Sequence, residues 1–148
     1  MKAQQFQELL VRLNTCKDAR VWAEGKTWRQ VYDTCERGDW LMWLFEKTNP
    51  DDKRLKVLVG GHIANTVRHL MTDERSRNAV DVCIRYGIGE ATDNELTAAR
   101  VAVRDAARAA AWDAAWDAAG AARVAKVASL KQSADIVRKY IPIEKFNI

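Results

Sequence analysis

Between Ala98 and Ala128 the chain places sixteen alanines in 31 positions, with two tryptophans among them as A-W-D-A-A-W-D-A-A. Alanine is the strongest helix former and adds almost no bulk, so this tract reads as a helix that neighbours approach closely. At about 100° per residue, Leu96, Val103, Ala107, Ala110, Ala114, Ala121 and Ala125 make one thin apolar face. Trp112 and Trp116 project from roughly the opposite side. A helix apolar on two sides is normally buried between neighbours. The expectation is an all-α fold, a multi-helix bundle of about seven to eight helices around a central Ala/Trp-rich C-terminal helix.

The rest of the chain supplies the surrounding helices. At 148 residues it reads as one domain, 1–148. Its parts are N-terminal helical hairpins over 1–48, a middle helix pair over 49–88, a long or broken Ala-rich helix over 93–141 and a short tail over 142–148. Phe6, Leu9, Leu10 and Leu13 make one stripe on a first helix, Ala3 to Leu13. Asn14 or Thr15 caps a second, Cys16 to Ala23, with Cys16, Ala19 and Trp22 or Ala23 inward and Gly25 ending it. Thr27 caps a third, Trp28 to Arg37, and Gly38 stops it. Asp39 opens a fourth, Trp40 to Lys47, which is apolar nearly all round. Asn49-Pro50 starts the next, running to about Met71 with Leu55, Leu58, Val59, Ile63, Val67 and Leu70 inward. Gly60-Gly61 in its middle implies a close crossing or a break. Thr72 or Asp73 caps a helix to Tyr86, and Thr92 or Asp93 caps the alanine tract. As one straight rod, 94–140 would measure roughly 70 Å, against about 40 Å for a compact globule of this size. A break is therefore expected at Gly120 or within Ser129–Ser133, unless a second copy of the chain covers the projecting end.

The chemistry implied by these residues is sparse. Net charge is +4, spread evenly, with 8 basic and 7 acidic residues in 1–50, 7 and 6 in 51–92, and 8 and 6 in 93–140. No basic cluster marks a nucleic-acid or membrane face. Three cysteines at long spacings read as reduced, buried thiols and not as a disulfide framework or zinc site. The first 20 residues hold no signal-peptide core, and the run Val57 to Val67 is too short to span a bilayer, so a cytoplasmic location is expected. His62 and His69 are seven apart on one expected helix, a spacing that suits packing and not a shared metal. No G-x-S-x-G, P-loop or G-x-G-x-x-G occurs. No cofactor and no catalytic residue is expected, and an enzyme is the least favoured reading. The helical pair over 27–47 superficially suggests a DNA-reading hairpin, yet its second helix presents Trp, Leu and Phe, not base-reading polar groups. Trp22, Trp28, Trp40 and Trp43 are expected to fill the N-terminal bundle.

Three stretches together resemble the immunity proteins of bacterial and prophage polymorphic-toxin systems. They are T-C-K-D-A-R-V-W-A (15–23) with T-W-R-Q-V-Y-D-T-C-E-R-G-D-W-L-M-W-L (27–44), V-R-H-L-M-T-D-E-R-S-R-N-A-V-D-V-C-I-R-Y-G-I-G-E-A (67–91), and the tract ending in A-D-I-V-R-K-Y-I-P (134–142). The resemblance implies a non-enzymatic module that neutralises a toxin by stoichiometric binding, through a few buried anchors and charge steering. It brings no catalytic residues. The residues expected to meet the partner are Trp112, Asp113, Trp116 and Asp117. Homo-oligomerisation through the Ala-rich helix is open. The alternative is a phage accessory protein binding nucleic acid or a host defence factor, with Arg100, Arg104, Arg108, Arg123 and Lys126 gathered on one surface.

Overall fold

The computed structural model describes residues 1–110 and 121–148, with side chains described over 1–102 and 129–148. The described residues are all-helical: α1 Ala3–Arg12, α2 Lys17–Trp22, α3 Trp28–Thr34, α4 Gly38–Thr48, α5 Lys53–Asn65, α6 Glu74–Gly87, α7 Asp93–Ala110 and α8 Ala121–Tyr140, with 3₁₀ turns at Arg68–Leu70 and Ile143–Lys145. No strand occurs among them. The Cα trace forms two compact units, one of Met1–Asp51 with Leu130–Ile148, the other of Asp52–Ser129.

The first unit joins the two ends of the chain. Phe6, Leu9 and Leu10 of α1, Trp28, Val31 and Tyr32 of α3, and Leu41, Leu44 and Phe45 of α4 are buried, as their helical spacing predicts. From the C-terminal side come Ala134, Val137, Ile141 and Phe146, all buried. The Phe146 ring stands 4.9 Å from Trp28, 5.3 Å from Phe45 and 5.9 Å from Tyr32. Polar ties follow the same seam. The Tyr32 hydroxyl donates to the Ile141 carbonyl at 3.0 Å, and Arg138 donates to the Tyr32 carbonyl at 2.7 Å and to the Cys35 carbonyl. Asn147 donates to the Thr48 carbonyl at 3.1 Å. The tail is thus docked on the first unit, with Phe146 buried and Ile143 and Ile148 half-buried.

The second unit is built on α6, which packs along α5 and along α7. Tyr86, Ala91 and Leu96 form one buried cluster, with Val57 and Cys83 against it, and Ala79, Val82 and Ala99 form another. The Tyr86 hydroxyl donates to Asp93 at 3.1 Å, Arg54 donates to the Tyr86 carbonyl at 2.6 Å, and Lys53 pairs with Asp93. Thr92 and Glu95 close a capping box on α7, with Thr92 Oγ1 accepting from the Glu95 amide at 3.2 Å and Glu95 accepting from the Thr92 amide at 2.8 Å.

Several local expectations are corrected. Gly38 does not stop a helix; α3 ends at Thr34, where Cys35 turns extended, and Gly38 is the first residue of α4. A Cβ on Gly38 would lie 2.5 Å from the Ser133 Cβ and 2.6 Å from the Ala134 amide nitrogen, so glycine is there for helix contact. Asn14 and Thr15 do not cap α2. Asn14 adopts φ 56° and closes α1, and Cys16 is the N-cap of α2. Asn49-Pro50 is not a helix start, because Asn49 caps the end of α4 and Asp52 accepts from the Leu55 amide to begin α5. That helix ends at Asn65, so His62 and His69 do not share it, and Val67 and Leu70 are exposed instead of inward. The helix passes unbroken through Gly60-Gly61. Gly61 meets Cys83 and Ile84 of α6, while nothing crowds Gly60. No break falls within Ser129–Ser133, which α8 traverses. Gly120 lies outside the described residues, and so do the side chains that would decide whether 98–128 is a central post; of its first turn, Ala99 is buried and Val101 exposed. Cys16 is exposed, whereas Cys35 is buried and Cys83 half-buried.

Two outcomes follow from this packing. Gly38→Ala should lower stability by about 1–3 kcal/mol through overpacking, while Gly60→Ala should raise it by about 0.5–1 kcal/mol through helix propensity; urea midpoints of the two variants check the opposite signs. Burial pushes the Cys35 thiol and the Tyr32 phenol above their ordinary values of 9.0 and 10.0. The unfolded chain therefore loses these protons first. The stability they contribute is complete below pH 9 and is lost as pH rises through the folded values. Urea titrations from pH 8 to 11 should show that fall, and Cys35→Ser should remove its first part.

Candidate functional site

The described residue that most lacks a partner is Thr15. The α1 helix ends in a Schellman motif: Asn14 takes the left-handed conformation, its amide donates to the Val11 carbonyl at 2.9 Å, and the Thr15 amide donates to the Leu10 carbonyl at 3.0 Å. That geometry turns the chain sharply and buries Thr15, which is only 7% exposed. Its Oγ1 is enclosed and has no hydrogen-bond partner. A buried hydroxyl without a partner carries a desolvation cost of about 1–3 kcal/mol.

Thr15 lies in the wall of a cavity of about 470 Å³ within the first unit. Phe6 and Leu10 of α1, Ala19 and Trp22 of α2, Val31 of α3, and Trp40, Leu41, Trp43 and Leu44 of α4 make most of the lining, with Cys16, Ala23 and Cys35 beside them. Three of the indoles, Trp22, Trp40 and Trp43, are only half-buried. Trp22 and Trp40 meet edge to face, 6.0 Å between centroids. Each of the three carries a cation over its ring: Lys26 at 4.3 Å from Trp22, Arg37 at 4.4 Å from Trp40 and Lys47 at 5.7 Å from Trp43. Trp28, by contrast, is buried between Phe6, Tyr32 and Phe146.

The electrostatics of the wall centre on one ion pair and one buried thiol. Asp39 is its one charged residue, and Arg37 grips it with two bonds of 2.8 and 2.6 Å. The Arg37 hydrogen bond holds the Asp39 carboxyl below its ordinary value, so it is a spent carboxylate and not a proton donor near neutrality. The Cys35 thiol donates weakly to the Arg37 carbonyl, and burial keeps it protonated, which is the opposite of an activated nucleophile.

The partner-binding residues expected from sequence, Trp112, Asp113, Trp116 and Asp117, lie outside the described residues. The side chains of Arg104, Arg108, Arg123 and Lys126 lie outside the described ones as well. A second, shallower recess in the other unit gathers Asn65, Arg68, His69 and Arg77. Its cations are engaged internally: Arg68 with Asp81, and Arg77 with Glu74 at 3.7 Å and with the Met71 carbonyl at 2.8 Å. That leaves little charge for a phosphate backbone. Among the described residues no group of three His, Cys, Asp or Glu could hold a metal ion, and no helix is long and apolar enough to cross a membrane.

Sequence reasoning assigned Trp22, Trp40 and Trp43 to the interior and gave Thr15 only a capping role. A legible signal was the spacing of Trp40 and Trp43 in a helix apolar on more sides than its neighbours could cover. No family model, curated protein or solved structure matches the chain.

Thr15→Val keeps the shape of the side chain and removes the unpartnered hydroxyl. It should raise stability by about 1 kcal/mol, read as a higher urea midpoint at unchanged slope.

Proposed function

We propose that this chain is a non-enzymatic protein-binding module, an immunity protein that neutralises a toxin by stoichiometric binding. One observation supports it above the others: three half-exposed tryptophans, each under a Lys or Arg side chain, ring a single apolar recess. Trp and Arg are the residue types over-represented among the anchors that dominate protein interfaces, and they act where a partner desolvates them. The surrounding charges of both signs, Lys26, Arg37, Asp39 and Lys47, suit steering and register. The resemblance of 15–44, 67–91 and 134–142 to immunity proteins supplies the biological setting, and a cytoplasmic location belongs to the same reading.

The test is co-expression with the product of the neighbouring reading frame. The chain should relieve that product's growth arrest and form a 1:1 complex by titration calorimetry. Trp40→Ala should weaken the complex by tenfold or more, about 1.4 kcal/mol, with helical circular dichroism unchanged. A parallel Asp113→Asn, Asp117→Asn variant asks whether the acidic edge of the alanine tract contributes. Absence of both complex and rescue would remove the immunity reading.

A further inference from the structure

We infer that the recess beside the 3₁₀ turn of the second unit is a binding site for a phosphate monoester. Asn65, Arg68, His69 and Arg77 line it, and its volume of about 440 Å³ lies within the roughly 300–1,000 Å³ of ligand sites. No carboxylate is among these lining residues, and all four side chains carry N–H donors. They come from three segments: Asn65 ends α5, Arg68 and His69 belong to the turn, and Arg77 belongs to α6. The internal pairs orient the two guanidinium groups without exhausting them. Arg68 turns Nη1 and Nη2 to Asp81, which leaves its Nε–H. Arg77 gives Nε to the Met71 carbonyl at 2.8 Å, and Glu74 stands 3.7 Å from Nη1, beyond hydrogen-bond length. The outer N–H groups of Arg77 therefore stay open. So do the Asn65 amide and the His69 ring, both on exposed residues without a hydrogen-bonded side-chain partner among the described residues. Guanidinium groups already fixed in place cost an incoming anion little ordering. A planar carboxylate is filled by one arginine fork, whereas a phosphate monoester offers oxygens to donors arriving from several sides. A nucleic-acid backbone needs free charge along a surface; here Arg68 and Arg77 are balanced by Asp81 and Glu74, and recognition rests on directed donors in one place. The assignment does not rest on the protein-binding reading of the tryptophan recess, because every lining residue belongs to the second unit.

The test is a ¹⁵N NMR titration of the full chain with inorganic phosphate, glucose 6-phosphate and a phosphoserine peptide, at constant ionic strength. Acetate and glucose are the controls. The backbone amides of 65–77 and the Arg77 Nε–H resonance should shift together and saturate with each phosphate and with neither control. Tighter binding of glucose 6-phosphate than of the peptide assigns the site to a free phosphorylated metabolite; the reverse assigns it to a phosphorylated protein side chain. Arg77→Gln should weaken phosphate binding about tenfold. Asn65→Ala combined with His69→Ala removes two exposed side chains, should leave helical circular dichroism unchanged, and should weaken phosphate binding about threefold. That second variant carries the test if Arg77→Gln does not fold. Shifts that stay linear up to about 50 mM phosphate, an equal response to acetate, or unchanged affinity in the folded variants would overturn the site. None of these results bears on complex formation with a protein partner.

Discussion

The first unit depends on one seating event, the insertion of the Phe146 ring between Trp28, Tyr32 and Phe45. The three host rings belong to α3 and α4, elements drawn from the first third of the chain. The guest arrives from the last three residues. Burying a phenyl ring is worth about 1.5–3 kcal/mol, and each favourable ring pair adds about 0.5–1.5 kcal/mol. That is a large share of the margin by which a small domain is stable. Arg138 makes the seating specific, because its two donors reach the Tyr32 and Cys35 carbonyls where α3 has ended and those groups have lost helical partners. The C-terminal segment thus caps α3 and fills the space beside it in the same movement.

Close approach is the second recurring device. Gly38 lets the start of α4 touch the backbone of α8 at Ser133 and Ala134, Gly61 lets α5 touch α6 at Cys83 and Ile84, and Gly87 admits Leu58 against the end of α6. Each is a helical residue, and each sits where a methyl group would meet backbone or a Cβ. The local helix penalty of about 1 kcal/mol per glycine is set against interhelical contact that no larger residue permits. Gly60 has no such neighbour, and the same pattern gives it no packing role.

Much of this was legible from pattern. The stripe Phe6, Leu9, Leu10 and Leu13, the cap Thr27 and the cap at Thr72 or Asp73 follow from helical periodicity and cap chemistry; Phe6, Leu9 and Leu10 are buried, Leu13 is half-buried, and Thr27 and Asp73 are the caps. Boundaries failed where one residue type serves two purposes. Gly38 reads equally as a helix stop and as a contact residue, and only the position of Ser133, 95 residues away, decides between them. Asn49-Pro50 reads as a start, yet the Asn49 amide finds its partner at the Phe45 carbonyl behind it. The cavity was illegible for a related reason. Tryptophan spacing shows which residues share a helix face, but whether that face is filled or hollow depends on the short α2 and on the turn at Asn14. Both are tertiary facts.

The hollow itself calls for explanation, because the same unit packs closely elsewhere. Phe6, Leu41 and Phe45 are almost fully enclosed, and protein interiors of this kind leave few voids larger than a water molecule. A wall of three indoles has ample volume to close a recess by small rotations, which would also shelter apolar surface from water. Each indole instead carries a cation over its ring, and Arg37 in turn is fixed by Asp39, so polar contacts restrain the rings. Such pairs are worth about 0.5–1 kcal/mol at exposed sites, comparable with what a partial collapse would return. A larger residue at Ala19 or Ala23 would fill the space. Small residues at Ala19 and Ala23 and indoles restrained by cations together keep the recess open.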